Sequence, residues 1–185
     1  TGWGDAATVD EDVLADWFDG EKNRNIGVLL GPKSGIIDIE FDCDEGRKTA
    51  EEFGLDKAYT PTYTSKRSTH RLFKYDERLP DMAVVKVNGL EIRIGGGEKA
   101  SQSVMPPSAH ASGASYSWVE GMSHADCEVA EIPKELLVRI ANAAGEEAGE
   151  RKREKPATSI VHTKVNDGEG RHETLVRYAA LKCIK

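Results

Sequence analysis

A chain of 185 residues with 31% charged and 38% hydrophobic side chains suits one sizeable domain with a modest core, and its net charge of −7 excludes a protein that coats nucleic acid indiscriminately. No apolar run approaches the roughly 18 residues that span a bilayer, and the N-terminal TGWGDAATVDEDVLADWF lacks the basic start and apolar stretch of a secretory signal. Cys43, Cys127 and Cys183 are scattered without metal-ligand spacing and read as reduced thiols, so no membrane is expected and the expected compartment is the cytoplasm.

In chain order, TVDEDVLADWFDG (8–20) predicts a short helix. Thr8 or Asp10 caps it, acids fill its first turn, and Val13, Leu14, Trp17 and Phe18 form an apolar stripe before Gly20. NIGVLLG (25–31) predicts a buried strand ending in the turn GPKSG. IIDIEFD (36–42) then alternates, with Ile37, Ile39 and Phe41 on one face and Asp38, Glu40 and Asp42 on the other. Like charges about 7 Å apart along a strand repel one another, and strands disfavour Asp. A divalent cation, Mg²⁺ or Mn²⁺, is the simplest way to hold Asp38 and Glu40 side by side; an edge strand with a solvated acidic face is the plain alternative. Asp42 reads as a helix cap or turn residue.

CDEGRKTAEEFG (43–54) predicts a helix returning over a sheet, and HRLFKY (70–75) and LEIRI (90–94) predict strands, the second entered through the tight turn VNG. The Gly-, Ser- and Pro-rich segment 95–119 predicts loops and short edge strands, its final YSWV being one more strand. PKELLVRIANAA (133–144) predicts an amphipathic helix entered at Pro133. Residues 143–159 then gain charge and lose apolar side chains, as a linker does, and GRHETLVRYAALKCIK (170–185) predicts a further amphipathic helix in a C-terminal region spanning 160–185. Helices and strands mix without the regular alternation of a doubly wound sheet, which predicts an α+β fold with a mostly antiparallel sheet and flanking helices.

Three further constellations carry chemistry. Basic residues gather in SKRSTHRLFK (65–74), where Lys66, Ser68 and His70 share a face and make an anion site, although a lone His at a strand start is more often structural. LEIRI places Glu91 and Arg93 on one face, which supplies a further metal ligand or an ordinary cross-strand ion pair. MPPSAHASGASYSW offers Ser108, His110 and backbone amides in a loop stiffened by Pro106 and Pro107 and turned at Gly113, suited to binding or simply rigid. A second basic run, RKREK (151–155), reads as solvated surface.

The order of these motifs resembles the bifunctional primase/polymerase (prim-pol) domains of the archaeo-eukaryotic primase superfamily, found in replication proteins of plasmids, phages and other mobile elements. The family's D-x-D/E pair matches Asp38 and Glu40, its s-x-H motif matches Ser68 and His70, and its third acid matches Glu91. Its Gly-rich run and Pro-Pro-Ser loop match GGGEKASQSVMPPSAHASGASYSW, and its Trp-containing helix, Asn-Ile-Gly strand and Ser-Gly turn are similar to residues 2–35. The resemblance covers roughly residues 1–140, a catalytic domain placed at 1–142. Three departures stand out. KRST occupies the place of the family's usual Gly-Gly, Glu91 replaces the usual Asp, and the apolar helix and strand that usually open the domain are absent, so the chain is expected to begin inside it.

The resemblance implies an RRM-like catalytic core that makes and extends primers from nucleoside triphosphates on a single-stranded DNA template. It implies a two-metal site, Mg²⁺ or Mn²⁺, held by Asp38, Glu40 and Glu91. It implies a triphosphate held by His70 with Ser68, Lys66 and Arg67, and further nucleotide or template contacts from Arg93, Ser108 and His110. A local basic groove reconciles the net charge with a nucleic-acid partner. The tail resembles the start of the helical region that follows prim-pol domains, often ahead of a helicase, so a fragment of a longer protein is expected. Two rival readings use the same residues: a metal-dependent nuclease, and a non-catalytic nucleic-acid-binding replication module.

Overall fold

The computed structural model of the chain describes residues 3–19, 24–97, 100–110, 112–153 and 177–179. The acidic stretch lies at the heart of the larger sheet. Strand β2 (Ile36–Phe41) pairs antiparallel with β4 (Thr69–Lys74) on one side and with β6 (Leu90–Arg93) on the other. Adding β3 (Thr62–Thr64), β5 (Val84–Val87) and β8 (Ser117–Trp118) gives the order β5-β6-β2-β4-β3-β8, antiparallel throughout. A second sheet, β7-β1-β9, joins β1 (Ile26–Leu29) to β7 (Gln102–Met105) antiparallel and to β9 (Arg177–Ala179) parallel. The fold is α+β with a mostly antiparallel sheet, as the mixed order of elements predicts.

The alternation in β2 sorts its side chains between two cores. Ile37, Ile39 and Phe41 join Phe73, Leu90 and Ile92 in a cluster closed by Leu136 and Ile140 of helix α3 (Lys134–Arg153), with Ala50 of helix α2 (Asp44–Glu52) at its side. Each such fully buried aliphatic side chain contributes roughly 1.5–3 kcal/mol. On the opposite face Tyr63 and Leu72 of the large sheet meet Val28 and Met105 of the small one. Asp38 faces this second interface and is fully buried. The solvated edge strand is therefore excluded: β2 has a neighbour on each side and a second sheet over its acidic face.

Local chemistry sets the ends of the elements. Asp10, rather than Thr8, caps helix α1 (Glu11–Phe18) by accepting from the amides of Asp12 and Val13, while Val13 of the expected apolar stripe stays exposed. At α2 the cap is Cys43, whose sulfur accepts from the Gly46 amide, and Asp42 precedes the cap, exposed. Asn88 and Gly89, at φ 42° and 81°, form the two-residue turn of the β5–β6 hairpin. Strand β5 has no counterpart among the expected elements, since four residues are too short for a periodic signal.

Two C-terminal expectations change. Helix α3 continues to Arg153, through much of the segment expected to be a linker, because its Ala, Glu, Lys and Arg residues favour helix even without an apolar stripe. Residues 177–179, within the expected C-terminal helix, form β9 instead, where the free edge of β1 offers backbone partners. The rest of that expected helix lies outside the described residues. No helix among the described residues is long and apolar enough to cross a membrane.

Gly95 fixes how the two sheets meet. It sits at φ 69°, and a Cβ there would run into the carbonyl of Leu30, just past β1. Gly95→Ala is expected to lower stability by about 2–4 kcal/mol, combining left-handed strain with a backbone clash, read as a lower urea midpoint with an unchanged slope.

Candidate active site

Strand register assembles the site. Glu40 stands opposite Glu91 on β6 and His70 on β4, and Asp38 stands opposite Arg93. Directly opposed residues share a face, so the carboxylates of Asp38, Glu40 and Glu91 converge with one guanidinium and one imidazole. Tyr63 lies opposite His70, and Trp118 opposite Tyr63, which carries the row on to the sheet edge.

Arg93 answers the repulsion posed by the acidic strand. Its Nη1 lies 3.3 Å from Asp38 Oδ2, its Nη2 lies 2.7 Å from Glu91 Oε1, and Nη2 also donates to Glu40 Oε2. His70 adds a basic group: Nδ1 donates to Asp38 Oδ2 at 3.0 Å, and Nε2 lies 3.9 Å from Glu40 Oε1. Burial alone would raise the Asp38 pKa, but His70, Arg93 and a bond from Ser103 bring it below the ordinary carboxylate value. Burial alone would lower the His70 pKa, yet the charges of Asp38 and Glu40 raise it. Arg93 is also held more firmly protonated than usual, its burial outweighed by the three acids around it.

The cradle of Asp38 includes residues that the sequence patterns do not single out. Tyr63 donates its hydroxyl to Asp38 Oδ2 at 3.1 Å, and Ser103 of β7 donates to the same oxygen from the second sheet. The Tyr63 ring stacks on His70, with centroids 4.5 Å apart and planes within 3°. Burial, then the charge of Asp38, pushes the Tyr63 hydroxyl well above its ordinary pKa, so it stays a proton donor. Tyr116 lies 6.5 Å from His70 and 6.4 Å from His110, a tilted ring between the buried site and the loop. The polar Ser in QSVM and the Tyr in TYT, at positions facing a core, are the signals that would have pointed to Ser103 and Tyr63.

The donor chemistry suits a hard divalent cation: three carboxylates on adjacent strands, with Oδ1 of Asp38 buried and receiving no hydrogen bond among the described residues. The carboxylates nonetheless lean on Arg93, and no group of three His, Cys, Asp or Glu among the described residues is set as a metal cluster. Arg93 thus provides the positive charge that a cation would bring.

The other expected contacts lie apart from this centre. Lys66 and Arg67 are exposed in the β3–β4 loop, just beyond the Glu91–Glu40–His70–Tyr63 row, and the backbone of Ser68 closes that loop on Ser65. Among the described residues no hydrogen bond or ion pair joins these three to the carboxylates. Ser108 is buried, and its Oγ accepts from the Ile26 amide at 2.7 Å. Asn25 and Ala109 exchange two more bonds, at 2.8 and 2.9 Å. The Asn-Ile and Pro-Pro-Ser segments are therefore one structural joint. His110 folds onto its own loop, its Nδ1 2.8 Å from Ser112 Oγ and accepting from the Ser112 amide at 3.1 Å.

Comparison with family models decides the class. The Prim-Pol model, described as bifunctional DNA primase/polymerase, N-terminal, matches residues 1–135. The chain belongs to the Prim-Pol family. The match spans both sheets up to β8, the helices α1 and α2, and every residue of the carboxylate site. Membership gives this Prim-Pol domain its activity class, a primase/polymerase-type nucleotidyltransferase. Searches of curated proteins and of solved structures found no match.

Proposed function

We propose that this Prim-Pol domain makes primers and extends them on single-stranded DNA, joining nucleoside triphosphates by metal-dependent nucleotidyl transfer. The observation that carries this reading is the convergence of Asp38, Glu40 and Glu91 on three neighbouring strands, within the residues matched to the family. Two divalent cations, Mg²⁺ or Mn²⁺, would supply stabilisation of the charge that develops on the primer 3′-oxygen and on the leaving pyrophosphate.

The chain's own residues then have distinct tasks. Asp38, Glu40 and Glu91 present oxygens on one sheet face. Arg93, once its carboxylates are otherwise neutralised, is free to meet the triphosphate, and His70 Nε2 faces the same space. Lys66, Arg67 and Ser68, in the loop beyond the row, and His110, beside Tyr116, would track the triphosphate tail or the template strand. Ser108 supports that surface by pinning its loop to β1. The domain would serve a cytoplasmic replication protein of a plasmid, phage or other mobile element, with a helicase region in the same polypeptide; the resemblance of its motifs supports that setting.

The test is extension of a labelled primer on single-stranded template with Mn²⁺ and each nucleotide set. Elongation supports the reading. Template cleavage without nucleotides would point to a nuclease, and binding without any product to a non-catalytic module. Within the reading, His70→Gln is expected to raise the nucleotide KM about tenfold, the value of one charge-assisted hydrogen bond. Unchanged KM and kcat would remove His70 from the triphosphate.

A further inference from the structure

Asp38 is held unevenly. Oδ2 accepts from Tyr63 at 3.1 Å, His70 Nδ1 at 3.0 Å, Arg93 Nη1 at 3.3 Å and Ser103, while Oδ1, equally buried, accepts from none of the described residues. Buried polar atoms are rarely left without partners, since each costs roughly 1–3 kcal/mol. The imbalance therefore calls for a use of Oδ1. Two of the four donors, Arg93 and His70, also serve the other carboxylates. Ser103 and Tyr63 reach Asp38 alone among the acids.

We propose that Ser103 and Tyr63 are positioning residues, which grip Asp38 by Oδ2 and thereby present Oδ1 as its metal-ligating oxygen. The proposal rests on the metal-dependent reading of the site. Ser103 comes from β7, where it lies opposite Val28 and two residues before Met105, both members of the apolar cluster between the sheets. A hydroxyl among such neighbours has no packing advantage over a methyl group; its bond to Asp38 gives it a function. Tyr63 is fully buried, stacked flat on His70 and edge-on to Trp118 at 5.5 Å. Its ring cannot turn away, so its hydroxyl is a fixed donor. With Oδ2 fixed from two different sheets, the carboxylate cannot rotate to exchange its oxygens. Groups that orient a metal ligand in this way change metal affinity rather than the chemistry of the substrate.

The experiment is Mn²⁺ titration of the whole chain, with free Mn²⁺ read by its electron paramagnetic resonance signal. The variants are Tyr63→Phe, Ser103→Val and Ser103→Thr, the last two nearly equal in shape but differing in the hydroxyl. Tyr63→Phe and Ser103→Val are expected to weaken Mn²⁺ binding about tenfold or more, with Ser103→Thr staying near wild type. The Mn²⁺ concentration giving half-maximal primer extension should rise in the same order, while the nucleotide KM at saturating Mn²⁺ stays put. Equal Mn²⁺ affinity in wild type, Tyr63→Phe and Ser103→Val would overturn the proposal, even if those variants melt at lower temperature. A wild-type chain that binds no Mn²⁺ would instead overturn the metal-dependent reading on which the proposal stands.

Discussion

Replacing Asp38 by Asn is expected to cut Mg²⁺- or Mn²⁺-dependent nucleotide incorporation by about 10³-fold or more while leaving the fold intact. Metal ligation supplies several kcal/mol of transition-state charge stabilisation, and each 1.36 kcal/mol is worth about tenfold in rate. The fold survives because the amide oxygen of Asn still accepts from Tyr63, Ser103 and His70, while Arg93 keeps Glu40 and Glu91. The charge and the second ligand oxygen are lost. Glu40→Gln should behave alike. Circular dichroism and a single-turnover incorporation assay check both halves together. A folded Asp38→Ala, Glu40→Ala double variant with full activity would contradict the assignment.

The second large effect concerns stability. Arg93→Ala leaves three carboxylates facing one another, one of them fully buried, with the His70 imidazole beside them. Removing one member of a buried ionic network costs about 3–5 kcal/mol; the low end applies, because the Arg93 side chain keeps 22% of its exposure. Urea unfolding in the presence of a chelator should show this loss. Millimolar Mn²⁺ should restore more stability to Arg93→Ala than to wild type, since the cation takes over the charge that Arg93 supplied. Equal stabilisation of the two proteins would mean that guanidinium and metal do not share the carboxylates.

The acidic strand was legible because strand geometry has a period of two and the violation was plain: alternating acids where a strand should alternate solvent-facing polar groups. The family's own spacing then tied Asp38, Glu40, His70 and Glu91 together. Register was not legible. Nothing local to LEIRI says that Glu91 will face Glu40 rather than slip to another row, or that Arg93 will reach all three acids. Ser103 was invisible for a stronger reason, since it belongs to a different sheet and meets Asp38 across 65 positions of chain. Ser108 stands out in its Pro-Pro loop, but nothing in that loop says that its hydroxyl accepts from the Ile26 amide 82 positions away. Composition misled at α3 in the opposite sense: loss of apolar residues after Ala144 resembles a linker, while the same residues are good helix formers.

In the proposed function, Asp38, Glu40 and Glu91 form the metal-dependent centre of a primer-making nucleotidyltransferase. Its most direct test is synthesis of a primer on an unprimed single-stranded template with labelled nucleoside triphosphates and Mn²⁺, comparing wild type with Asp38→Asn. Oligonucleotide product is expected from the wild-type chain and none from the variant. Equal product from both, or no product from a wild-type chain shown to bind Mn²⁺ and template, would contradict it.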